Sequence, residues 1–312
     1  MRFIRPRAVC RVIMNAILVT SSLIVYPFAM AQDLEPRAYS NAPVGMNFLL
    51  GGYQYSSGAL LFDPSLPVTD ASARVDLGFL GYVRTLDVLS KSAKAGVVLP
   101  YADLSADGFL DGEYRRRDTT GPADPSFYFT MNLYGAPALG VKEFRDFQQD
   151  TIVGFTLKVT APMGSYDSEK LLNIGTNRWS VKPEIGVSKA IGRWTLEAAA
   201  GGFFYTDNTD FDHGKTRKQD PIYSAQAHAI YSFRNKAWAS ISSTYFTGGR
   251  TSVDGIERDD LQKNWRTGFT LAFPLNRHHS IKLYGNSGVS TRTGTDYDAL
   301  GVVWQYRWGG GF

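Results

Sequence analysis

The sequence predicts an all-β protein, a transmembrane antiparallel β-barrel of about twelve strands behind a cleaved N-terminal signal peptide. Three observations predict it. The chain closes on LGVVWQYRWGGGF, in which every second residue from Leu300 to Trp308 is apolar or aromatic and the intervening Gly301, Val303, Gln305 and Arg307 are mostly small or polar. Side chains alternate faces along a strand, so one face is greasy and the other can meet water. The last residue, Phe312, ends the chain on an aromatic, as the assembly signal of outer-membrane barrels does. The start of the chain has the build of an export leader, and nothing between the two ends could cross a bilayer as a helix.

The leader is read over residues 1–31. Arg2, Arg5, Arg7 and Arg11 form a basic head without acids, an apolar stretch runs from Ile17 to Phe28, and Ala29-Met30-Ala31 supplies small residues for cleavage after Ala31. A membrane anchor is the competing reading, but the stretch is short and interrupted by Thr20, Ser21 and Ser22. The whole chain carries 33 Lys+Arg against 29 Asp+Glu. Four of those arginines lie in the leader, so residues 32–312 are formally neutral and give no reason to expect a nucleic-acid partner. Cys10 is the one cysteine and also lies in the leader, which excludes disulfides, thiolate metal sites and a cysteine nucleophile from the mature barrel domain, residues 32–312. No later apolar run approaches the roughly 18 residues of a spanning helix.

Taken in order, Gln32 to Pro43 is a short polar lead-in at the periplasmic end, and Met46 to Tyr55 is a first strand too apolar to assign faces. Ser56 to Asp70 reads as a loop. The second strand, Ala73 to Arg84, places Val75, Leu77, Phe79 and Val83 on one face and Asp76, Gly78, Tyr82 and Arg84 on the other. If apolar faces meet lipid, Asp76 and Arg84 point inward. A third strand follows around Lys94 to Tyr101, then a long polar loop, Ala102 to Asp124, with the run Arg115-Arg116-Arg117. That run could bind lipopolysaccharide phosphates or be a solvated loop.

Ser126 to Tyr134 and Thr151 to Ala161 alternate cleanly, the latter placing Lys158 on its polar face. Between them Val141, Phe144 and Phe147 recur every third residue, predicting a short amphipathic helix at the inner membrane interface or over the barrel mouth. Arg178 to Ala190 sets Lys182 and Glu184 opposite Val181, Ile185 and Val187. Pro183 between them cannot donate to a ladder, so a bulge or small gap is expected there. Trp194 to Tyr205 contributes Glu197. Ile222 to Phe233, Ala237 to Phe246, Asn264 to Phe273 and His279 to Thr291 complete the set before the final strand. Long and short connections alternate, as outer loops and periplasmic turns do.

Several stretches are similar to a family of Gram-negative outer-membrane proteins named for the MetA pathway of phenol degradation. They are PRAYSNAPVGMNFLL (Pro36 to Leu50), LFDPSLPV (Leu61 to Val68), KLLNIGTNRWSVKPEIGVSKAIG (Lys170 to Gly192), QDPIYS (Gln219 to Ser224) and the C-terminal strand. The resemblance implies an outer-membrane barrel that transports small solutes, aromatic or other small organic compounds among them. It carries over no binding residues.

Enzyme signals are poor: there is no phosphate loop and no HExxH motif, and no catalytic residue, metal ligand or cofactor is expected. His278-His279-Ser280 offers a strand histidine with a serine two residues on, the pairing of outer-membrane phospholipases, but it falls just after the turn Pro274 to Arg277 at the periplasmic end, away from the outer rim where lipid would be cut. The candidate pore-lining residues are Asp76, Arg84, Lys158, Lys182, Glu184, Glu197, Arg266, Lys282 and Arg307, a set that suits selective passage through a water-filled lumen. The same charges could instead fill a closed structural barrel, and a lipid-hydrolysing barrel is the other alternative. The expected partners are outer-membrane lipid and lipopolysaccharide, the barrel-assembly machinery acting on the strand that ends at Phe312, and a small-molecule solute.

Overall fold

The computed structural model describes residues 35–61, 68–110 and 112–311; the leader and Phe312 lie outside them. Seventeen strands are present among these residues: β1 Met46–Leu61, β2 Val68–Val88, β3 Lys91–Leu110, β4 Glu113–Pro122, β5 Ser126–Tyr134, β6 Thr151–Thr160, β7 Ser180–Ile191, β8 Trp194–Tyr205, β9 Asn208–Phe211, β10 Lys215–Gln219, β11 Ile222–Ser232, β12 Trp238–Gly248, β13 Thr251–Val253, β14 Ile256–Glu257, β15 Gln262–Pro274, β16 His279–Ser290 and β17 Gly294–Gly309. Twelve of them close on themselves in antiparallel order, β1-β2-β3-β5-β6-β7-β8-β11-β12-β15-β16-β17, with β17 returning to β1. Closure leaves no edge inside a bilayer, where unpaired backbone groups cost several kcal/mol each.

Both ends of the described chain meet at one rim, where Met46 pairs with Gly309. The tight turns lie at the same rim. Leu89 (φ 53) and Ser90 (φ 60) form a two-residue turn with both residues left-handed, the form that matches the twist of a hairpin. Gly192 (φ 60) turns β7 into β8. At the opposite rim the connections are longer, and β9, β10, β13 and β14 form a separate four-stranded sheet there. The expected helix is a single turn, α1 Val141–Phe144, with no buried residue.

The long loop predicted from polarity over Ala102 to Asp124 is largely strand. β3 runs on to Leu110 and turns into β4, so the arginine run sits on a hairpin and not in a loop. Tyr101 on β3 pairs with Pro122, and Val98 with Ser126. The fourth wall position is therefore one strand broken at Ala123-Asp124-Pro125. β5 pairs onward with β6, whereas β4 pairs only with β3. The seam above Ser126 is closed by the connection from β6 to β7: the Ser165 amide donates to the Pro122 carbonyl at 2.7 Å. The Asp124 carboxylate accepts from the amides of Gly164 and Thr176, each at 2.8 Å, and from the Thr176 hydroxyl at 2.6 Å.

Around Pro183 the ladder lapses. Val181 pairs with Phe204 and Glu184 with Gly201 on β8, but the two positions between are unpaired and the register is unchanged. The wall has a small gap there and no inserted residue.

Outward positions carry the exposed apolar side chains, among them Leu80 (62 %), Leu99, Ile185, Ile241 and Leu300. On β2 the faces are the reverse of the sequence expectation. Val75 lies buried in an interior cluster with Leu60, Leu104, Leu172 and Ile174, and Phe79 stands over Gly52. Asp76 and Arg84 therefore face outward with Leu80 and Tyr82. The Tyr53 hydroxyl donates to Asp76, and Tyr53 is itself exposed. The reason is positional: eight residues separate Asp76 from Arg84, about 26 Å of strand, so both charges fall at the rims of an apolar band about 25 Å tall.

Candidate functional site in the barrel interior

The inner wall has two sectors. On β1, β2 and β3 it is mainly apolar, with Phe48, Leu50, Leu77, Phe79, Val83 and Val98 on the inner register and Gln54 and Lys94 as polar members of the same face. From β5 round to β17 it is polar and carries charge. Seven of the nine expected residues fall on this inner face: Lys158, Lys182, Glu184, Glu197, Arg266, Lys282 and Arg307. Asp76 and Arg84 do not join them.

Lys158 and Lys182 are register partners on β6 and β7. Like charges directly opposite repel, and here each ammonium has other company. The Lys182 Nζ lies 2.7 Å from Glu184 Oε2 and 5.0 Å from the centre of the Phe203 ring. Lys158 Nζ stands 5.3 Å from the centre of the Tyr128 ring. Glu184 also accepts from Gln226 Nε2 at 2.9 Å. Glu197 accepts from the Ser188 hydroxyl at 2.9 Å. Lys282 and Arg266 lie over Tyr284 and Tyr297 in turn, the latter at 3.8 Å. Repeated stacking of cations on ring faces keeps the interior polar without neutralising it.

His279 and Ser280 are successive residues of β16 and so face opposite sides; His279 Nδ1 accepts from the Trp304 indole at 3.1 Å. His278 Nδ1 lies 3.1 Å from the Arg307 carbonyl oxygen.

The family described as the MetA-pathway of phenol degradation matches residues 35–304. The chain belongs to that family. Among solved structures the barrel superposes on an outer-membrane channel from Pseudomonas putida F1 with a TM-score of 0.76 at 22% identity, covering 88% of this chain and 100% of that one. The transport unit of the autotransporter AIDA-I from Escherichia coli follows at a TM-score of 0.49 and 11% identity, covering 92% and 95% of the two chains. No curated protein sequence matches. The first of these likenesses establishes the fold, an outer-membrane β-barrel.

In this member of the phenol-degradation family the interior also holds a segment that sequence reasoning left outside, residues 35–40. The Arg37 amide donates to Glu197 Oε2 at 2.7 Å and its guanidinium to the Ser232 hydroxyl at 2.6 Å. Arg37 also lies 5.0 Å from the centre of the Trp238 ring. The Ala38 carbonyl accepts from Lys94 Nζ at 2.9 Å. Tyr39, 2 % exposed, donates its hydroxyl to Glu184 Oε1 at 3.1 Å. Burial, and then the Glu184 carboxylate, push the phenol pKa upward, so Tyr39 stays a donor. Its ring fills the space of two missing side chains: Gly154 and Gly186 are register partners, and a Cβ on either would come within 2.2 Å of it. Facing glycines on one interior face were the available signal, because they leave a notch that something must occupy.

Proposed function

We propose that the protein is an outer-membrane channel for small organic solutes, aromatic compounds among them. The supporting observation is the two-sector inner wall, mainly apolar on β1–β3 and cationic with aromatic stacking on β5–β17. A solute with a ring and a polar or anionic group could keep both ends satisfied along such a wall. The seven inward charges would then be pore-lining, with Lys158, Lys182 and Glu184 at a constriction. Residues 35–40 lie across the inner end and would narrow the path or close it at rest.

The proposal includes export as a precursor cut after Ala31, and recognition of the last strand, through Phe312, by the barrel-assembly machinery. Liposome swelling with the purified mature protein tests the transport claim, using sugars, amino acids and aromatic acids. Flux above that of empty liposomes, greatest for small aromatic acids, is expected. Flux equal to that of empty liposomes would sink the channel reading and favour a closed structural barrel.

A further inference from the structure

Arg266 of β15 lies on the inner face and is 1 % exposed. Its Nη2 donates to Asn286 Oδ1 at 2.5 Å and to the Tyr297 carbonyl at 2.7 Å. A guanidinium carries five N–H donors, and Nε and Nη1 have no hydrogen-bond partner among the described residues. No carboxylate there pairs with it within 4.0 Å. Two hydroxyls of β12 on the same inner face are also unpartnered, Thr244 Oγ1 and Ser240 Oγ, and Thr244 is the register partner of Arg266. A buried charge without a counter-charge is costly, and unfilled donors add to the cost. The Tyr297 ring and Asn286 hold the fork in place without supplying negative charge.

We propose that Arg266, with the Thr244 hydroxyl, is a binding subsite for the carboxylate of a small organic acid inside the lumen. This rests on the channel reading and deepens it, naming organic acids as the solute class that pauses there. The unfilled Nε and Nη1 donors would receive the carboxylate oxygens as charge-assisted hydrogen bonds, and Thr244 would add a neutral one. The inner-face groups Ser242, Asn264 and Asn286 are polar and uncharged, and the Asp296 carboxylate, which lies over Gly288, the register partner of Arg266 on β16, makes no ion pair with the guanidinium.

The test uses the mature protein in planar bilayers with benzoate as the probe, and glycerol flux in liposomes as the measure of an open pore. Benzoate should interrupt the chloride current of the unchanged protein. Arg266→Gln should weaken that block about 10- to 100-fold, the loss expected for a charge-assisted contact, and Thr244→Val about threefold, each measured in protein whose glycerol flux shows an open pore. Equal benzoate block in the unchanged protein and in a heat-modifiable Arg266→Gln would overturn the site and leave buried water as what fills it. If Arg266→Gln does not fold, Thr244→Val decides by the same measure. Absence of glycerol flux in the unchanged protein would count against the channel reading alone. In that case benzoate should still raise the melting transition of the unchanged protein and not that of Thr244→Val, and equal shifts would overturn the site.

Discussion

The Tyr39 hydroxyl meets Glu184 Oε1 at 3.1 Å across 145 residues of sequence, inside the barrel. That contact couples the segment before the first strand to the charged cluster on β7, where Lys182 pairs with the other oxygen of the same carboxylate.

Removing the phenol should loosen the inner end. Tyr39→Phe keeps the ring in its glycine notch and deletes one hydrogen bond to a charged acceptor, about 1.5–3 kcal/mol of docking. Single-channel recording should show open time increased roughly tenfold or more, with the barrel still heat-modifiable. Unchanged gating would mean that the segment does not obstruct the path.

Filling the notch should expel the segment altogether. A side chain at Gly186 must collide with the Tyr39 ring, so Gly186→Val is expected to leave the barrel folded and residues 35–40 displaced. Trypsin acting from the inner side should then cut after Arg37 readily, where the unchanged protein resists. Resistance in the variant would contradict the docking geometry.

Asp124 should govern the outer seam. Asp124→Asn weakens the three hydrogen bonds that fasten the β6–β7 connection beside β4, at an expected cost of about 1–3 kcal/mol. Trypsin added outside should cut at Lys170 faster, and the thermal transition should fall. The inner-end contacts should be indifferent to the change.

The reversed faces of β2 can be checked directly. Leu80→Arg puts a charge on lipid and should destabilise the barrel by about 2–4 kcal/mol in denaturant titration. Asp76→Ala should change neither stability by more than about 1 kcal/mol nor ion selectivity. Lys158→Ala with Lys182→Ala should change selectivity while folding stays normal. A selectivity change from Asp76→Ala would return it to the lumen.

Much of this architecture was legible in the sequence because a barrel wall in lipid obeys a strict two-residue period. Lys182 against Ile185, or Arg266 against Phe269, tells the faces apart without any knowledge of neighbours. On β2 the same rule failed, because alternation separates two faces without naming them. Val75 and Phe79 are apolar for the sake of an interior cluster, and Asp76 and Arg84 escape lipid by lying at its borders. The β3–β4 hairpin was missed for a related reason: outside the bilayer a strand needs no apolar face, so Arg115-Arg116-Arg117 reads as loop. The lumen segment was harder to read, since Tyr39 finds its partners on strands more than a hundred residues away, and the facing Gly154 and Gly186 mark a notch without naming its occupant.

The same segment constrains how the molecule can come together. Residues 37 and 39 are held by β7, β8 and β11, from the middle of the chain, while residue 46 already begins the strand that must pair last with β17. Contacts of such long sequence separation form late and slowly. The segment has to be inside before the β1–β17 junction shuts, or else thread through the narrow rim afterwards. Closing the wall and seating the segment are thus one event in time, and a barrel that closed too early would be left with an empty notch and a tail outside.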